Sequence, residues 1–310
     1  MRWVAGNRTD GGSPRLTLPS PPPGAERVKA SPVRSFLVAA LTFGAVCAVV
    51  YIGTCALLWA YEPAFVFHRI ARHSTPPPAG LGGFSEIGIT TADGARLYGW
   101  WRPPSKGHGV VLFLNGTGLV LSDTADFLGD LASQGFGVGG IDYRGIGASE
   151  GTPSEPGWRA DADALFDFAH RRAPGAKVAA VGVSFGTGLA VALANERPLA
   201  GILLISPYAS VVRLFEQNGI PLLPGVPLPA RWLMTDKFDS EALVRRVHVP
   251  IMILHGTADR TIPVEEARRL YAAANQPKKM IEVAGAGHCA VWFGPTRAKA
   301  LAALAAWTEP

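Results

Sequence analysis

Cysteine and charge are both scarce in this sequence. Its 310 residues include three Cys, and 17% of them are charged. Three Cys are too few for a disulfide scaffold, and 48% hydrophobic residues exclude a chain that is disordered throughout. The sequence has no His-Glu-x-x-His, Cys-x-x-Cys or P-loop pattern, and no strand-linked Gly-x-Gly-x-x-Gly with a matching acid. We therefore expect no metal and no nucleotide cofactor.

The excess of basic residues is confined to the start of the chain. Residues 1–35 hold six Arg or Lys against two acidic residues, a net charge of +4, which leaves +1 of the total +5 for the rest. A nearly neutral remainder removes the electrostatic argument for a nucleic-acid partner. The same 35 residues are rich in Gly, Pro and Ser without a helical or strand period. We interpret 1–35 as a disordered basic tail.

An uncharged apolar run follows at residues 36–60. As a helix, its length is about 37 Å at roughly 1.5 Å per residue, which exceeds the roughly 30 Å hydrocarbon layer of a bilayer. Trp59 and Tyr61 lie at its far end, where amphipathic rings prefer the lipid–water boundary. The run predicts one transmembrane helix and therefore a membrane partner.

Other interpretations of this run fit less well. A cleaved signal peptide would have a shorter apolar stretch, of roughly 7 to 15 residues, and Leu58-Trp59-Ala60 is a poor cleavage site. Lipid attachment at Cys55 would need a small residue where Thr54 stands. A buried core helix is the least favoured alternative.

The basic residues that flank the run predict its orientation. Three precede it closely and two follow it: Arg27, Lys29 and Arg34, then Arg69 and Arg72. Because positive residues are retained on the cytoplasmic side, we expect a single-pass membrane protein with residues 61–310 outside the cytoplasm. Only Cys289 lies in that part, which excludes an intradomain disulfide.

After a linker over 61–84, residues 85–310 alternate between predicted strands and helices. Two alternating segments flank Asp93-Gly94, a strong hairpin signal. Continuous apolar runs then alternate with helical stretches at 110–114, 138–142, 177–183, 201–206, 250–256 and 279–285. Such runs are typical of strands buried on both faces, so we predict an α/β domain with a mostly parallel sheet. Ligands of such sheets bind beyond the carboxyl ends of the strands.

A nucleophile candidate stands at one of these strand ends. Gly182-Val183-Ser184-Phe185-Gly186 joins a buried run to a helix start, and this pattern exposes a serine on a sharp turn at a helix N terminus. A serine needs a base and the base needs an orienting acid. His288 follows the last predicted strand and Asp259 follows the one before. We interpret His255, which lies on a strand, as structural.

These residues and several ordered motifs resemble the α/β-hydrolase superfamily, most closely its membrane-anchored, depalmitoylase-type serine hydrolases. The motifs are IDYRGIGASEG (141–151), GVSFG (182–186), DKFDS (236–240), LHGTADRTIPV (254–264) and GAGH (285–288). The resemblance covers about residues 85–305 and implies acyl transfer to water through a serine ester. The order Ser184, Asp259, His288 is the order in which α/β-hydrolases place their triad.

The predicted oxyanion hole departs from this family. Relatives usually carry His-Gly after the third strand, and this chain has Asn115-Gly116. The working donors are backbone N–H groups, by analogy those of Thr117 and Phe185. An oxyanion hole can therefore form without the His. We expect Asn115 to support the loop.

A forty-residue insertion at about 207–248 predicts a small cap. Its Pro density argues against a long helix, and its apolar content favours an acyl or lipid-like substrate.

Three functions remain open from the sequence: a hydrolase of carboxylic esters or thioesters near the membrane, a serine peptidase with the same triad, and a non-catalytic membrane-anchored binding protein. The fold alone does not separate the first two.

Overall fold

The computed structural model describes residues 31–67, 72–218 and 227–309. The predicted disordered tail lies outside the described residues up to residue 30, as does segment 219–226 of the predicted cap. The chain divides into two compact units, with the boundary between Ala48 and Val49. The second unit contains the sheet and the candidate site.

Helix α1, Pro32–Phe67, contains the whole predicted apolar run. Its most apolar window has a mean hydropathy of 2.3, so it is long and apolar enough to cross a membrane by length and composition. The helix is kinked at Tyr61, whose φ of −118° and ψ of 16° are not helical. Pro63, two residues later, lacks the N–H of a regular helix and clashes with the preceding turn, which explains the break.

The second unit is built on one eight-stranded sheet in the order β1-β2-β4-β3-β5-β6-β7-β8. Strands β1 and β2 form an antiparallel hairpin, β2 pairs antiparallel with β4, and every other pairing is parallel. This confirms the predicted mostly parallel sheet with an antiparallel start. The strands are Ser85–Thr90, Arg96–Arg102, Val110–Leu114, Gly137–Ile141, Val178–Val183, Ile202–Ile205, Ile251–Gly256 and Lys278–Val283.

Helices cover both faces of this sheet. After α1 they are, in chain order, α2 Ala125–Ser133, α3 Glu155–Arg172, α4 Gly186–Glu196, α5 Val211–Asn218, α6 Ala230–Leu233, α7 Ser240–Val244, α8 Val264–Ala273 and α9 Pro295–Thr308. Two short 3₁₀ turns lie at Leu121–Thr124 and Ala290–Trp292. Helices α5, α6 and α7 belong to the predicted cap, and their short lengths agree with its high Pro content.

The central strands have no solvent-facing side, as their sequences predict. Along β3, Val110, Leu112 and Leu114 pack into one core cluster, while Val111 and Phe113 pack into the other. All five are buried. Because successive side chains of a strand point to opposite faces, this division shows that the sheet separates two cores, each covered by helices.

The segment predicted as a linker, 61–84, begins with residues that belong to helix α1, so the prediction does not hold for them. Residues 62–67 continue α1 beyond the kink. Phe67 is fully buried, with its ring centroid 4.7 Å from that of Trp158. Farther along, Ser74 donates a hydrogen bond to Asp142 Oδ2 (2.6 Å). The segment was predicted as a linker from its Pro content, and nothing in its own sequence shows that Phe67 and Ser74 contact residues far along the chain.

Candidate active site

Ser184 stands on a sharp turn between β5 and α4, where the sequence placed it. Its φ of 52° lies in the left-handed region, which a residue other than Gly rarely occupies. The Ser184 N–H donates to the Ile205 carbonyl (2.8 Å), which ties the turn to the neighbouring strand β6. This strained backbone presents the hydroxyl at the carboxyl edge of the sheet and at the start of a helix.

Close backbone approaches explain the two glycines of the turn. A Cβ at Gly182 would lie 2.6 Å from the Gly186 carbonyl oxygen, and one at Gly186 would collide with the Leu114 and Asn115 carbonyl oxygens. A Cβ at Gly116 would lie 3.2 Å from Ser184 Cβ. Strand β5, helix α4 and the loop after β3 therefore converge on Ser184 too closely for any larger side chain.

The structure brings Ser184, His288 and Asp259 into one hydrogen-bonded chain. Ser184 Oγ lies 3.0 Å from His288 Nε2, although the two residues are 104 positions apart in the sequence. His288 Nδ1 lies 2.7 Å from Asp259 Oδ2. The Asp259 side chain is fully buried, whereas 26% of the His288 side chain is exposed. A hydroxyl, an imidazole and a carboxylate in this arrangement can transfer the hydroxyl proton to the imidazole.

Asp259 is fixed by contacts on both of its oxygens. Its Oδ1 accepts hydrogen bonds from the backbone N–H groups of Thr261 and Ile262, each at 2.9 Å. His255 is fully buried, with Nε2 2.9 Å from the Ile262 carbonyl oxygen and 3.4 Å from Asp259 Oδ2. Nε2 of His255 thus contacts Ile262 and the Asp259 carboxylate, in agreement with the structural role that its strand position predicted.

The ionisation of this chain follows from its contacts. Burial would raise the pKa of Asp259, but hydrogen bonds from His255, His288 and the Ile262 N–H outweigh it and hold the pKa well below its ordinary value. Burial would lower the pKa of His288, but the hydrogen bond to the Asp259 carboxylate outweighs it and raises the pKa above the ordinary 6.5. The carboxylate is therefore charged across the physiological range and stabilises the imidazolium.

Ser206 is a site residue that the sequence did not reveal. It follows β6, is fully buried and has a φ of 51°, so its backbone resembles that of Ser184. Its Oγ accepts a hydrogen bond from the N–H of Cys289 (3.2 Å), next to His288. Ser206 thereby holds the histidine loop against the end of the neighbouring strand. The sequence feature that could have identified Ser206 is its position at the end of a buried apolar run. That run forms the strand beside the one that carries Ser184.

The two residues predicted to supply the oxyanion donors lie at the cleft that contains Ser184. Thr117 and Phe185 line the same cleft as Ser184. Among the hydrogen bonds between described residues, neither backbone N–H has a partner. Asn115 is buried and its Oδ1 accepts from the Gly116 N–H (2.8 Å), as expected for a residue that supports this loop. The arrangement leaves donors available for a negatively charged oxygen.

A cleft of about 330 Å³ opens at Ser184. Its walls are mainly apolar side chains from the elbow, the cap and the loop after β7: Phe185, Tyr208, Val211, Leu214, Phe215 and Ile262. Phe65 and Val66, from the end of α1, complete the wall. Sequence reasoning missed these two, because nothing local shows that the residues after the kink contact the cleft. Across the described ranges, no three His, Cys, Asp or Glu side chains cluster as metal ligands would.

Known proteins resemble this chain in sequence and in fold. Residues 105–238 match the family described as serine aminopeptidase, S33. The uncharacterized protein Rv2307c of Mycobacterium tuberculosis is 32% identical over 253 residues, which cover 80% of this chain and 88% of that protein. The alpha/beta hydrolase domain-containing protein aho-3 of Caenorhabditis elegans is 32% identical over 60% of this chain and 54% of its own length.

Solved structures share the fold of this chain at lower sequence identity. The esterase Pf2001 of Pyrococcus furiosus superposes with a TM-score of 0.64 and 18% identity, over 78% of this chain and 97% of the esterase. GrgF from Penicillium, an alpha/beta hydrolase, gives a TM-score of 0.60 at 17% identity, over 73% of this chain and 99% of its own. At these identities the likeness establishes the common fold and leaves the reaction to the residues of the site.

Proposed function

Since the chain belongs to the α/β-hydrolase superfamily, we propose that it is a membrane-anchored serine hydrolase that cleaves carboxylic esters or thioesters. The observation that carries this proposal is the hydrogen-bonded chain from Ser184 through His288 to Asp259, at the edge of an apolar cleft. The substrate is a small or lipid-like acyl compound, and the chemistry needs no cofactor.

The proposed reaction begins with attack of Ser184 Oγ on the acyl carbon while His288 Nε2 takes the hydroxyl proton. The negative charge on the former carbonyl oxygen is stabilised by the N–H groups of Thr117 and Phe185, and one such donor contributes about 3 kcal/mol. His288 then protonates the departing alcohol or thiol, which leaves an acyl ester on Ser184. Water, activated by the same imidazole, releases the acid and restores the hydroxyl.

The cleft chemistry favours an acyl substrate over a peptide. An aminopeptidase must bind the charged amino group at the end of its substrate, which calls for a carboxylate at the site. Among the described residues that line the cleft, none is acidic. The aligned Ser184, His288 and Asp259 also argue against a protein that only binds ligands, because such a role does not require this geometry.

A substrate panel on the full-length protein in detergent tests the proposal. We expect hydrolysis of p-nitrophenyl esters and of acyl thioesters, with an acyl adduct detected on Ser184 by mass spectrometry, and no release of nitroaniline from aminoacyl p-nitroanilides. Cleavage of the anilides in preference to the esters would establish the peptidase alternative. A folded protein that hydrolyses none of the three and does not react with a fluorophosphonate would establish a binding protein.

The proposed anchor is the apolar part of α1, and its membrane association is directly measurable. We expect the full-length protein to remain with membranes after alkaline carbonate washing. A variant with both Val46→Arg and Val49→Arg serves as control, because each charge at the centre of a spanning helix costs about 3 kcal/mol and the pair should shift protein into the supernatant. Release of the unmodified protein by carbonate would contradict a spanning helix.

A further inference from the structure

The last turn of α1, residues 62–67, is fixed to the same unit as the candidate active site. Glu62 is buried, and its two carboxylate oxygens accept hydrogen bonds from the backbone N–H groups of Asp236 (2.7 Å) and Thr235 (3.0 Å), which follow cap helix α6. Hydrogen bonds to a charged acceptor are about twice as strong as neutral ones. The end of the helix is therefore held to the cap by a specific contact.

Aromatic packing holds the same turn from the other side. The ring of Phe67 contacts Trp158 at a centroid distance of 4.7 Å, Phe185 at 6.1 Å and Phe238 at 6.0 Å. Phe185 is the residue after Ser184, so the turn packs directly on the nucleophile elbow. With Glu62 on one side and Phe67 on the other, the intervening residues have a defined position.

Those intervening residues face the cleft. Phe65 and Val66 line it together with elbow and cap side chains; Val66 is 3% exposed and Phe65 is 46% exposed. The cleft has a volume of about 330 Å³, many times the roughly 15 Å³ of the same measure that one water molecule needs, so it has room for an acyl chain.

We propose that the last turn of α1 is a wall of the acyl-binding pocket, with Phe65 and Val66 as residues that determine specificity for the acyl chain. The proposal rests on the ester or thioester hydrolysis inferred above. It gives the proposed anchor a second role, because the helix that would hold the protein in the membrane also contacts the substrate beside Ser184.

The pocket wall follows the proposed membrane anchor closely along the chain. Phe65 lies four positions after Tyr61, where the apolar part of α1 ends. Four residues of chain span at most about 14 Å even when fully extended. The pocket wall therefore lies within that distance of the proposed membrane boundary, and we infer that the substrates are acyl compounds held at a lipid surface.

Substitution of Phe65 by Ala in the full-length protein tests this assignment. Hydrolysis of p-nitrophenyl acetate and p-nitrophenyl decanoate is compared in detergent. We expect kcat/KM for the decanoate to fall about fivefold, as for the loss of roughly 40 Å² of apolar contact, while kcat/KM for the acetate stays within about twofold, because the acetyl group does not reach Phe65. Phe43→Ala, another exposed Phe of α1 that does not line the cleft, is the matched control and should change neither value.

The ratio of the two esters separates this proposal from the one on which it rests. An equal fall for both esters, or no change for either, would overturn the pocket wall while leaving the serine hydrolase intact. An unmodified protein that hydrolyses neither ester and resists fluorophosphonate labelling would instead remove the proposed function itself. A folded Phe65→Ala protein is expected, since nearly half of that side chain is exposed.

Discussion

The Ser184→Ala protein is expected to lose ester turnover by about a millionfold, the loss that triad enzymes show when the nucleophile is removed. Without Oγ there is no atom on which an acyl group can be carried. The remaining acceleration comes from the N–H donors and from substrate binding, which cannot replace the covalent step. Turnover of p-nitrophenyl butyrate and labelling by a fluorophosphonate are the two measurements.

The substitution should leave the fold unchanged. Ser184 Oγ is hydrogen-bonded to His288, and the backbone of the turn is held independently by the bond from the Ser184 N–H to Ile205. Alanine differs from serine by that one oxygen and has a similar tolerance of positive φ. We therefore expect circular dichroism and the melting temperature to match those of the unmodified protein.

The control for this experiment is Ser133→Ala, at the exposed end of α2. It should retain full turnover and full labelling. If Ser184→Ala retains turnover above the level of the uncatalysed reaction and another serine is labelled, that other serine is the nucleophile. Loss of activity in both variants would point to a damaged preparation and not to the chemistry of Ser184.

The sheet could be predicted from the sequence because the composition of its strands indicates that they are buried. Runs such as residues 110–114 are apolar at every position, which only a strand covered on both faces requires. Ser184 was likewise predictable, because the turn needs Gly182 and Gly186 for reasons of close backbone contact, and these leave a recognisable pattern. The ends of the strands then placed Asp259 and His288 at the same edge.

The residues that escaped prediction act through contacts between distant segments. Glu62 looks like the first charge after an apolar helix, and only the folded chain shows its carboxylate on backbone N–H groups more than 170 residues away. Phe65 and Val66 line the cleft for the same reason. The Oγ of Ser206 accepts a hydrogen bond from Cys289, 83 residues away, and this bond depends on how two loops meet. None of these contacts leaves a periodic pattern or a motif.

The substitution Asp259→Asn is expected to lower kcat by about 10⁴-fold, and the hydrogen bonds of the carboxylate explain why. Oδ1 accepts from the N–H groups of Thr261 and Ile262, so the amide oxygen of Asn takes that position. Its NH₂ group then faces His288 Nδ1, where Oδ2 stood. An imidazole that must accept at Nδ1 carries its proton on Nε2, which prevents it from taking the proton of Ser184.

The pH dependence gives this substitution a second readout. His288 must be neutral to accept a proton, so kcat/KM of the unmodified enzyme falls as the pH drops through the pKa of His288. The Asp259 carboxylate raises that pKa above 6.5, and its removal should move the acid limb to lower pH, while the plateau is reduced. Asp130→Asn, at an ion pair with Arg297 on α9, is the control and should leave both plateau and limb in place. A plateau that falls while the acid limb stays fixed would show that Asp259 does not contact the titrating base, because loss of the adjacent charge must shift its pKa.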